Sequence, residues 1–311
     1  MMRSPFMKKR NTWQENLFIL SCVLIPVVNF LVFYVYVNFD SLLMAFQKPV
    51  NGNLIWTFDN FKWVFDKIVH GSSNPSDDLR LAFANTFLTF LVQVAMFIVG
   101  LFVSYFLYKK ILGYRYFRII FYLPSIISSV VTSAFYVELM NSDFVPKILE
   151  TLYHLDYEMK SPLMDSTFAN RMVFLNLVWL SFPSNMILWG GTFSRIPDSV
   201  LESARIDGAG WFRELFQIIL PIVWPTFVIL VTTQFASVFG ASGAVFLLTG
   251  GQYGTQTVSN WMYTYVQTAN SPMSANLYRA AALGLCLTVV STGLALGIRR
   301  FLNSRVEEVQ F

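Results

Sequence analysis

From Leu215 to Tyr278 the chain carries no Asp, Glu, Lys or Arg, and the same holds from Leu81 to Tyr108. Of its 311 residues only 13% are charged, 55% are hydrophobic and 17% aromatic, whereas a soluble domain holds about a quarter charged residues. Too little polar material is present to cover a water-facing surface, so the solvent for much of this chain is lipid. A hydrocarbon core about 30 Å thick is crossed by about 20 helical residues, because every backbone polar group must be paired within the segment. Six segments meet that requirement: 17–37, 82–108, 119–137, 172–193, 222–248 and 280–298. The run after Glu214 is far longer than one crossing, and the turn-forming stretch Thr249-Gly250-Gly251-Gln252-Tyr253-Gly254 divides it. The first segment is longer than the apolar core of a signal peptide and is followed by no small-residue cleavage site, so it is expected to remain as an anchor. Cys22 and Cys286 both fall inside apolar runs and are expected to be packing residues, with no disulfide or metal role.

An even number of crossings places both ends of the chain on one side, and Lys/Arg asymmetry selects which. Arg3, Lys8, Lys9 and Arg10, then Lys109, Lys110, Arg115 and Arg118, then Arg195, Arg205 and Arg213, and finally Arg299, Arg300 and Arg305 are fourteen of the 22 basic residues, all on one side. The opposite segments, about 38–81, 138–171 and 249–279, hold the other eight together with eleven of the 18 acids. Both termini are therefore expected in the cytoplasm. The expected layout is a cytoplasmic tail over 1–16, a first span at 17–37, an extracellular segment at 38–81, a five-helix domain at 82–299 with a cytoplasmic elbow at 195–221, and a cytoplasmic tail at 300–311. The net charge of +4 follows membrane side and forms no basic stripe, which argues against nucleic acid. Trp56, Trp63 and Trp261 in the outer segments suit either a docking partner or the membrane interface.

The segment after the fourth span reads Arg195-Ile-Pro-Asp-Ser-Val-Leu-Glu-Ser-Ala-Arg-Ile-Asp-Gly-Ala-Gly-Trp211. Pro197 suits a first helical turn, and Ser199 with Glu202 has the spacing of a capping box. Gly208 is placed to end the short helix in a left-handed conformation. Val200, Leu201 and Ala204 share one face and are expected to form an exposed apolar knob, with Glu202, Arg205 and Asp207 fixing its surroundings by ion pairs. Pro221, after Ile218-Ile219-Leu220, is expected to break or kink the chain where the fifth span begins.

Glu202-Ser203-Ala204, Asp207-Gly208-Ala209 and Ile218, Leu220, Pro221 resemble the EAA loop of binding-protein-dependent ABC import permeases, with Ser203 standing where the family usually has alanine. Asn60-Phe61, Asn85-Thr86, Arg118, Leu123-Pro124 and Ile196-Pro197 sit where the maltose and glycerol-phosphate subfamily of sugar permeases has them, and Thr249-Gly250-Gly251 resembles the first of its two paired subunits. The segment Asn141-Ser142-Asp143-Phe144-Val145-Pro146 departs from the Gly…Asn segment often found there. The resemblance implies an all-α membrane fold of six transmembrane helices with a cytoplasmic coupling-helix elbow, the type I ABC importer transmembrane domain. It implies a heterodimer with a second six-span permease, two ATPase subunits, an extracellular binding protein and a sugar or oligosaccharide cargo. Coupling to the ATPase would fall on Glu202, Ser203, Ala204, Asp207, Gly208, Ala209, Leu220 and Pro221.

No Gly-x-x-x-x-Gly-Lys-Ser/Thr run occurs, so ATP and Mg are expected on the partner ATPase and no cofactor or metal on this chain. Sugar recognition needs hydrogen-bonding groups beside flat aromatic faces. Polar residues inside spans are the candidates: Asn176, Trp179, Ser181, Ser184 and Asn185 in the fourth, and Thr233, Gln234, Ser237 and Ser242 in the fifth. Of these Asn176, Trp179, Gln234 and Ser237 are selected for the substrate path, although such residues also tie helices together. Pro26, Pro124, Pro183, Pro221, Pro225, Gly190 and Gly191 can supply kinks or close contacts. An ion-coupled secondary transporter of a small polar solute shares the topology, but no span carries a charge for coupling; His70 and His154 fall in outer segments. A membrane enzyme is unsupported by any His/Asp/Glu cluster or nucleophile motif.

Overall fold

A computed structural model of the chain describes residues 12–72, 77–154, 157–240 and 243–304. Arg3, Lys8, Lys9, Arg10, Arg305 and most of the two expected tails lie outside the described residues, as does Ser242. The described residues fall into two compact units, one running up to Val64 together with Ala269–Leu285, the other Phe65–Thr268 together with the residues from Cys286 on.

In the first unit, helix α1 begins at Thr12, passes through a π-helical stretch at Phe30–Tyr36 and ends at Ala45. The expected span at 17–37 is thus the middle of a longer helix, and its most apolar window, of mean hydropathy 2.5, is exposed throughout. Cys22 is exposed there and so does not pack as expected. Strands β1 (Gln47–Val50) and β2 (Asn53–Trp56) form an antiparallel hairpin in the register Gln47↔Trp56 and Val50↔Asn53. Asn51 and Gly52, both with positive φ, close it with a two-residue loop whose twist matches the strands. This hairpin adds strand to a fold expected to be all helical. Helix α2 (Asp59–His70) follows. Buried Asn60 donates to the carbonyls of Ala45 (3.1 Å) and Gln47 (2.7 Å), tying α2 to the end of α1. Trp56 is exposed, while Trp63 lies under the Arg279 guanidinium at 4.7 Å.

The second unit takes in the end of α2 and then α3 (Leu79–Tyr108), capped by the Asp78 carboxylate accepting from the Arg80 N–H at 3.0 Å. Helices α4 (Tyr114–Ile126) and α5 (Ser129–Asn141) replace the expected continuous span at 119–137 and are bent by 99° at Ile127 and Ser128. Pro124 weakens the end of α4 by removing a donor, but apolar residues continue on both sides, so hydropathy does not register the break. Then come α6 (Phe144–Tyr153) and α7 (Ala169–Phe193). Helix α8 (Asp198–Ile206) is short, and α9 (Trp211–Ile222) meets α10 (Trp224–Ala236) at 82°. The expected span at 222–248 is therefore corrected. Pro221 and Pro225 flank a break at Val223, and α10 stops at Ala236, where Ser237 turns its hydroxyl onto the carbonyls of Thr233 (3.0 Å) and Gln234 (3.2 Å). Helices α11 (Gly243–Leu248) and α12 (Val258–Gln267) follow. Helix α13 (Ala275–Asn303) is longer than the expected span at 280–298.

Four described helices, α1, α3, α7 and α13, are long and apolar enough to cross a membrane; counting each bent pair as one crossing brings the number to six. The core of the second unit is the α3–α7 contact, where Phe97, Leu101 and Tyr105 meet Trp189 and Phe193. A Cβ on Gly100 would lie 2.8 Å from the Asn185 Cβ, so only glycine permits this approach. Two cross-helix hydrogen bonds reinforce it, from Trp189 Nε1 to the Phe97 carbonyl (3.2 Å) and from Ser104 Oγ to the Met186 carbonyl (3.3 Å). Trp261, expected in an outer interfacial role, is instead 2% exposed and stacked on Tyr265.

Candidate functional site

The elbow is built from α8, the turn at Asp207–Gly210 and α9. Pro197 is extended (φ −60°, ψ 137°) and occupies the cap position, so α8 starts at Asp198 and no side chain caps it. Ser199 already lies within the first turn, which removes the expected capping box. At the other end Gly208 has φ +68°, its N–H donates to Arg205 O (3.1 Å), and the Ala209 N–H reaches Ala204 O (3.0 Å). This is the Schellman arrangement, with glycine at the left-handed position.

The expected apolar knob points inward. Leu201 and Ala204 are buried, and Leu201 with the half-buried Val200 joins the cluster of Tyr105, Trp189, Phe193 and Leu215. The face left outside carries Glu202, Ser203, Arg205, Asp207 and Gly208, with Ile206 85% exposed and Trp211 and Phe212 beyond it. Sequence reading missed Ile206 because helical periodicity alone does not say which apolar stripe faces the core. Ser203 turns its hydroxyl back to Ser199 O at 2.9 Å, so it occupies the alanine position without offering a free polar group. None of Glu202, Arg205 and Asp207 forms an ion pair among the described residues.

The ion pair that fixes the elbow joins Lys109, at the end of α3, to Glu214 in α9, with Nζ 2.8 Å from Oε1 and 2.6 Å from Oε2. The Glu214 side chain is 1% exposed. Beside it Tyr105 donates from its hydroxyl to Trp211 O at 3.2 Å. Both charges were visible as boundary markers, Lys109 ending one charge-free run and Glu214 preceding the other. Leu220 and Pro221 sit half-buried at the foot of α9, just before the break at Val223.

Of the residues selected for a substrate path, Asn176 on α7 is fully buried, and neither its amide oxygen nor its nitrogen is hydrogen-bonded among the described residues. Trp179 is 37% exposed, with its ring 6.3 Å from that of Tyr136. Gln234 is half-buried near the end of α10, and Ser237 is exposed with its hydroxyl on helix carbonyls. No hydrogen bond joins the two pairs among the described residues. Ser181, Ser184, Asn185 and Thr233 lie on the same helices; Ser181 and Thr233 bond carbonyls of their own helix, and Asn185 faces Gly100. Gly190 lies beside the Tyr122 hydroxyl, and Pro183 is buried within an unbroken α7.

A second constellation holds the Thr249–Gly254 turn. Asn85 Nδ2 donates to the carbonyls of Gly254 (2.8 Å) and Gln256 (3.0 Å), and Asn170 Nδ2 to Gly254 O (3.1 Å) and Asn85 Oδ1 (3.0 Å). Thr86 Oγ1 accepts from the Val258 N–H at 2.9 Å and donates to Ala82 O at 2.8 Å. Asn85 and Thr86 had stood only as matching positions; they pin a loop distant in sequence to the start of α3.

This geometry defines the class: a multi-pass helical membrane protein with a short elbow helix anchored to its core. Residues 96–308, well over half of the chain, match the family described as "Binding-protein-dependent transport system inner membrane component", and the chain belongs to that family. It is 28% identical over 218 residues to the galactooligosaccharides transport system permease protein GanP of Bacillus subtilis (strain 168), covering 67% of this chain and 51% of GanP. It is 29% identical over 168 residues to the maltose/maltodextrin transport system permease protein MalF of Escherichia coli (strain K12), covering 51% of this chain and 32% of MalF. The matched region thus spans about half or less of these relatives' length. A chain of the crystal structure of a bacterial alginate ABC transporter in complex with an alginate pentasaccharide-bound periplasmic protein shares the fold, with a TM-score of 0.70 and 21% identity over 93% of this chain and 94% of that one. A second alginate-importing ABC transporter structure gives a TM-score of 0.71 at 18% identity, covering 96% and 100%.

Proposed function

We propose that this chain is the transmembrane half of an ATP-driven importer that accepts a sugar or oligosaccharide from an extracellular binding protein and passes it inward by alternating access. The observation that carries the reading is the elbow. A short helix held to the core by Leu201 and Ala204 presents Glu202, Ile206 and a left-handed Gly208 outward, in a chain whose family is defined by dependence on a binding protein. Such a projection transmits a push to the spans because the helix cannot tilt independently of its buried side. Under this reading a second six-span permease completes the pathway and two ATPase subunits seat the elbows. ATP and Mg bind those subunits, and this chain performs no hydrolysis. Both termini and the elbow face the cytoplasm, as the Lys/Arg distribution favours.

A carbohydrate cargo is supported by the permease relatives and by the absence of charge from the middle of the spans, which suits a neutral polyol better than an ion. Asn176, Trp179, Gln234 and Ser237 are the candidate contacts. The test is reconstitution of the chain with a second permease, an ATPase and a binding protein, followed by ATP hydrolysis measured against a panel of neutral and acidic oligosaccharides. Stimulation by one oligosaccharide class, present only with the binding protein, is expected. Solute uptake into the same vesicles driven by an ion gradient in the absence of ATP would overturn the reading.

A further inference from the structure

Between the turn that follows α3 and the start of α8 lies a groove of about 740 Å³. Lys110, Arg118, Arg195 and Arg205 line it and take part in no ion pair among the described residues, whereas only Asp198 and Glu202 supply negative charge. Lys109 also reaches the groove, but Glu214 neutralises it. Lys110 has φ +54°, an unfavourable conformation for a residue with a Cβ, retained in a turn whose next left-handed residue is Gly113. Arg118 is held over the Tyr114 ring at 5.9 Å. The groove therefore concentrates positive charge that the chain itself leaves unbalanced.

A smaller cavity of about 180 Å³ adjoins it through the shared residues Tyr108, Arg118 and Ser194, and continues between Leu107, Tyr122 and Gly190. Tyr108 lines both spaces, and its hydroxyl is shielded from solvent with no hydrogen-bond partner among the described residues. Beside the cationic mouth, Leu112 is 98% and Tyr116 74% exposed, on the turn and helix that lead into a membrane-crossing pair. A cationic mouth, an orphan hydroxyl and a mainly apolar annex within spanning helices match an amphiphile rather than a free anion or an acidic peptide.

We propose that this groove binds an anionic phospholipid, with the phosphate among Lys110, Arg118 and Arg195, the Tyr108 hydroxyl donating to a phosphate or ester oxygen, and an acyl chain entering the annex. Lys110, Arg118, Arg195 and Tyr108 are not among the residues assigned to coupling or substrate, although the coupling residue Glu202 also lines the groove; lipid binding is read on this chain alone, so it can fail without the importer reading failing.

The test uses the purified full chain in detergent, titrated with dioleoyl phosphatidylglycerol, dioleoyl phosphatidylcholine or inorganic phosphate while the thermal denaturation midpoint is followed. A saturable rise with phosphatidylglycerol is expected, with little change from the other two at equal concentration. Arg118→Gln combined with Arg195→Gln should raise the half-saturating concentration by roughly tenfold or more, since each basic residue near an anionic surface contributes about 1 kcal/mol. Arg118→Lys with Arg195→Lys keeps the charge and should retain most of the binding, which guards against misfolding of the neutral pair. Equal effects from phosphatidylcholine, a full response to inorganic phosphate alone, or an undiminished response in the neutral pair would each overturn the proposal. So would loss of the phosphatidylglycerol response on assembly with the partner permease and ATPase, which would make the groove a protein interface.

Discussion

Lys109 and Glu214 lie 105 residues apart in sequence, yet Nζ contacts both carboxylate oxygens where the end of α3 meets the first turns of α9. Removing one partner of a buried pair leaves an uncompensated charge and costs about 3–5 kcal/mol at full burial; with the Lys109 side chain 21% exposed the loss should be smaller. Glu214→Ala is expected to lower the thermal midpoint and to weaken stimulation of ATP hydrolysis. The exchanged pair Lys109→Glu with Glu214→Lys should recover part of both. If stimulation stays at the parental level in Glu214→Ala, the pair does not hold the elbow in its working position.

At Gly208 a Cβ would meet nothing within 4 Å, so the constraint is the backbone angle of +68° and not space. Gly208→Val should cost about 1–2 kcal/mol locally, leave membrane insertion intact and abolish uptake by shifting the elbow turn. Gly208→Asn, which tolerates the left-handed region, should retain much more. Uptake equal to the parent in vesicles carrying the valine variant would remove the elbow assignment.

Gly100 presents the opposite case, because its φ is ordinary and the barrier is Asn185 at 2.8 Å. Gly100→Ala forces α3 and α7 apart, an overpacking cost of about 1–3 kcal/mol. A fall in the denaturation midpoint of the solubilised protein is the expected result, and an unchanged midpoint would show that the helices slide without cost.

Asn176 and Gln234 differ in burial, and their substitutions should separate structure from transport. Asn176→Leu removes an unpaired buried amide and should hold or raise the thermal midpoint, while lowering transport if that amide is reserved for substrate or for another conformation. Gln234→Ala should leave stability near the parental level and raise the substrate concentration needed for stimulated ATP hydrolysis. An unchanged dose response in either variant takes that residue out of the path.

In the 157–165 segment the Tyr157 hydroxyl donates to Asp165 Oδ2 at 2.6 Å. The Asp165 carboxyl titrates below its ordinary value: burial pushes it up, but the hydrogen bonds from Tyr157 and Thr167 outweigh that. Tyr157 titrates above its ordinary value, first through the bond to Asp165 and then through burial. A lowered carboxyl stabilises the fold above the unfolded carboxylate range and loses that contribution as pH falls through the folded value. A raised phenol stabilises below the unfolded tyrosine value and loses it as pH climbs toward the folded one. Limited proteolysis of this segment should therefore be slowest near neutrality and accelerate at both extremes, and Tyr157→Phe should remove the alkaline arm and weaken the acid one. A flat profile in the parent would show that the Tyr157–Asp165 hydrogen bond does not hold this segment.

Hydropathy and charge determined by themselves that the chain is a membrane protein, and four of the expected spans fall inside α1, α3, α7 and α13, though α1 and α13 run further than expected, because a run of apolar residues in lipid has no alternative to helix. They also placed the elbow and its left-handed Gly208, a position local sterics dictate. Tertiary structure alone decided where apparent spans break, at Ile127 and Val223, since a bend depends on neighbouring helices while composition runs on unchanged. It decided that Leu201 and Ala204 turn inward and Ile206 outward, because an apolar face has no direction until something packs against it. It brought Lys109 to Glu214 and Asn85 to Gly254, pairings between distant segments that each segment's own sequence leaves open.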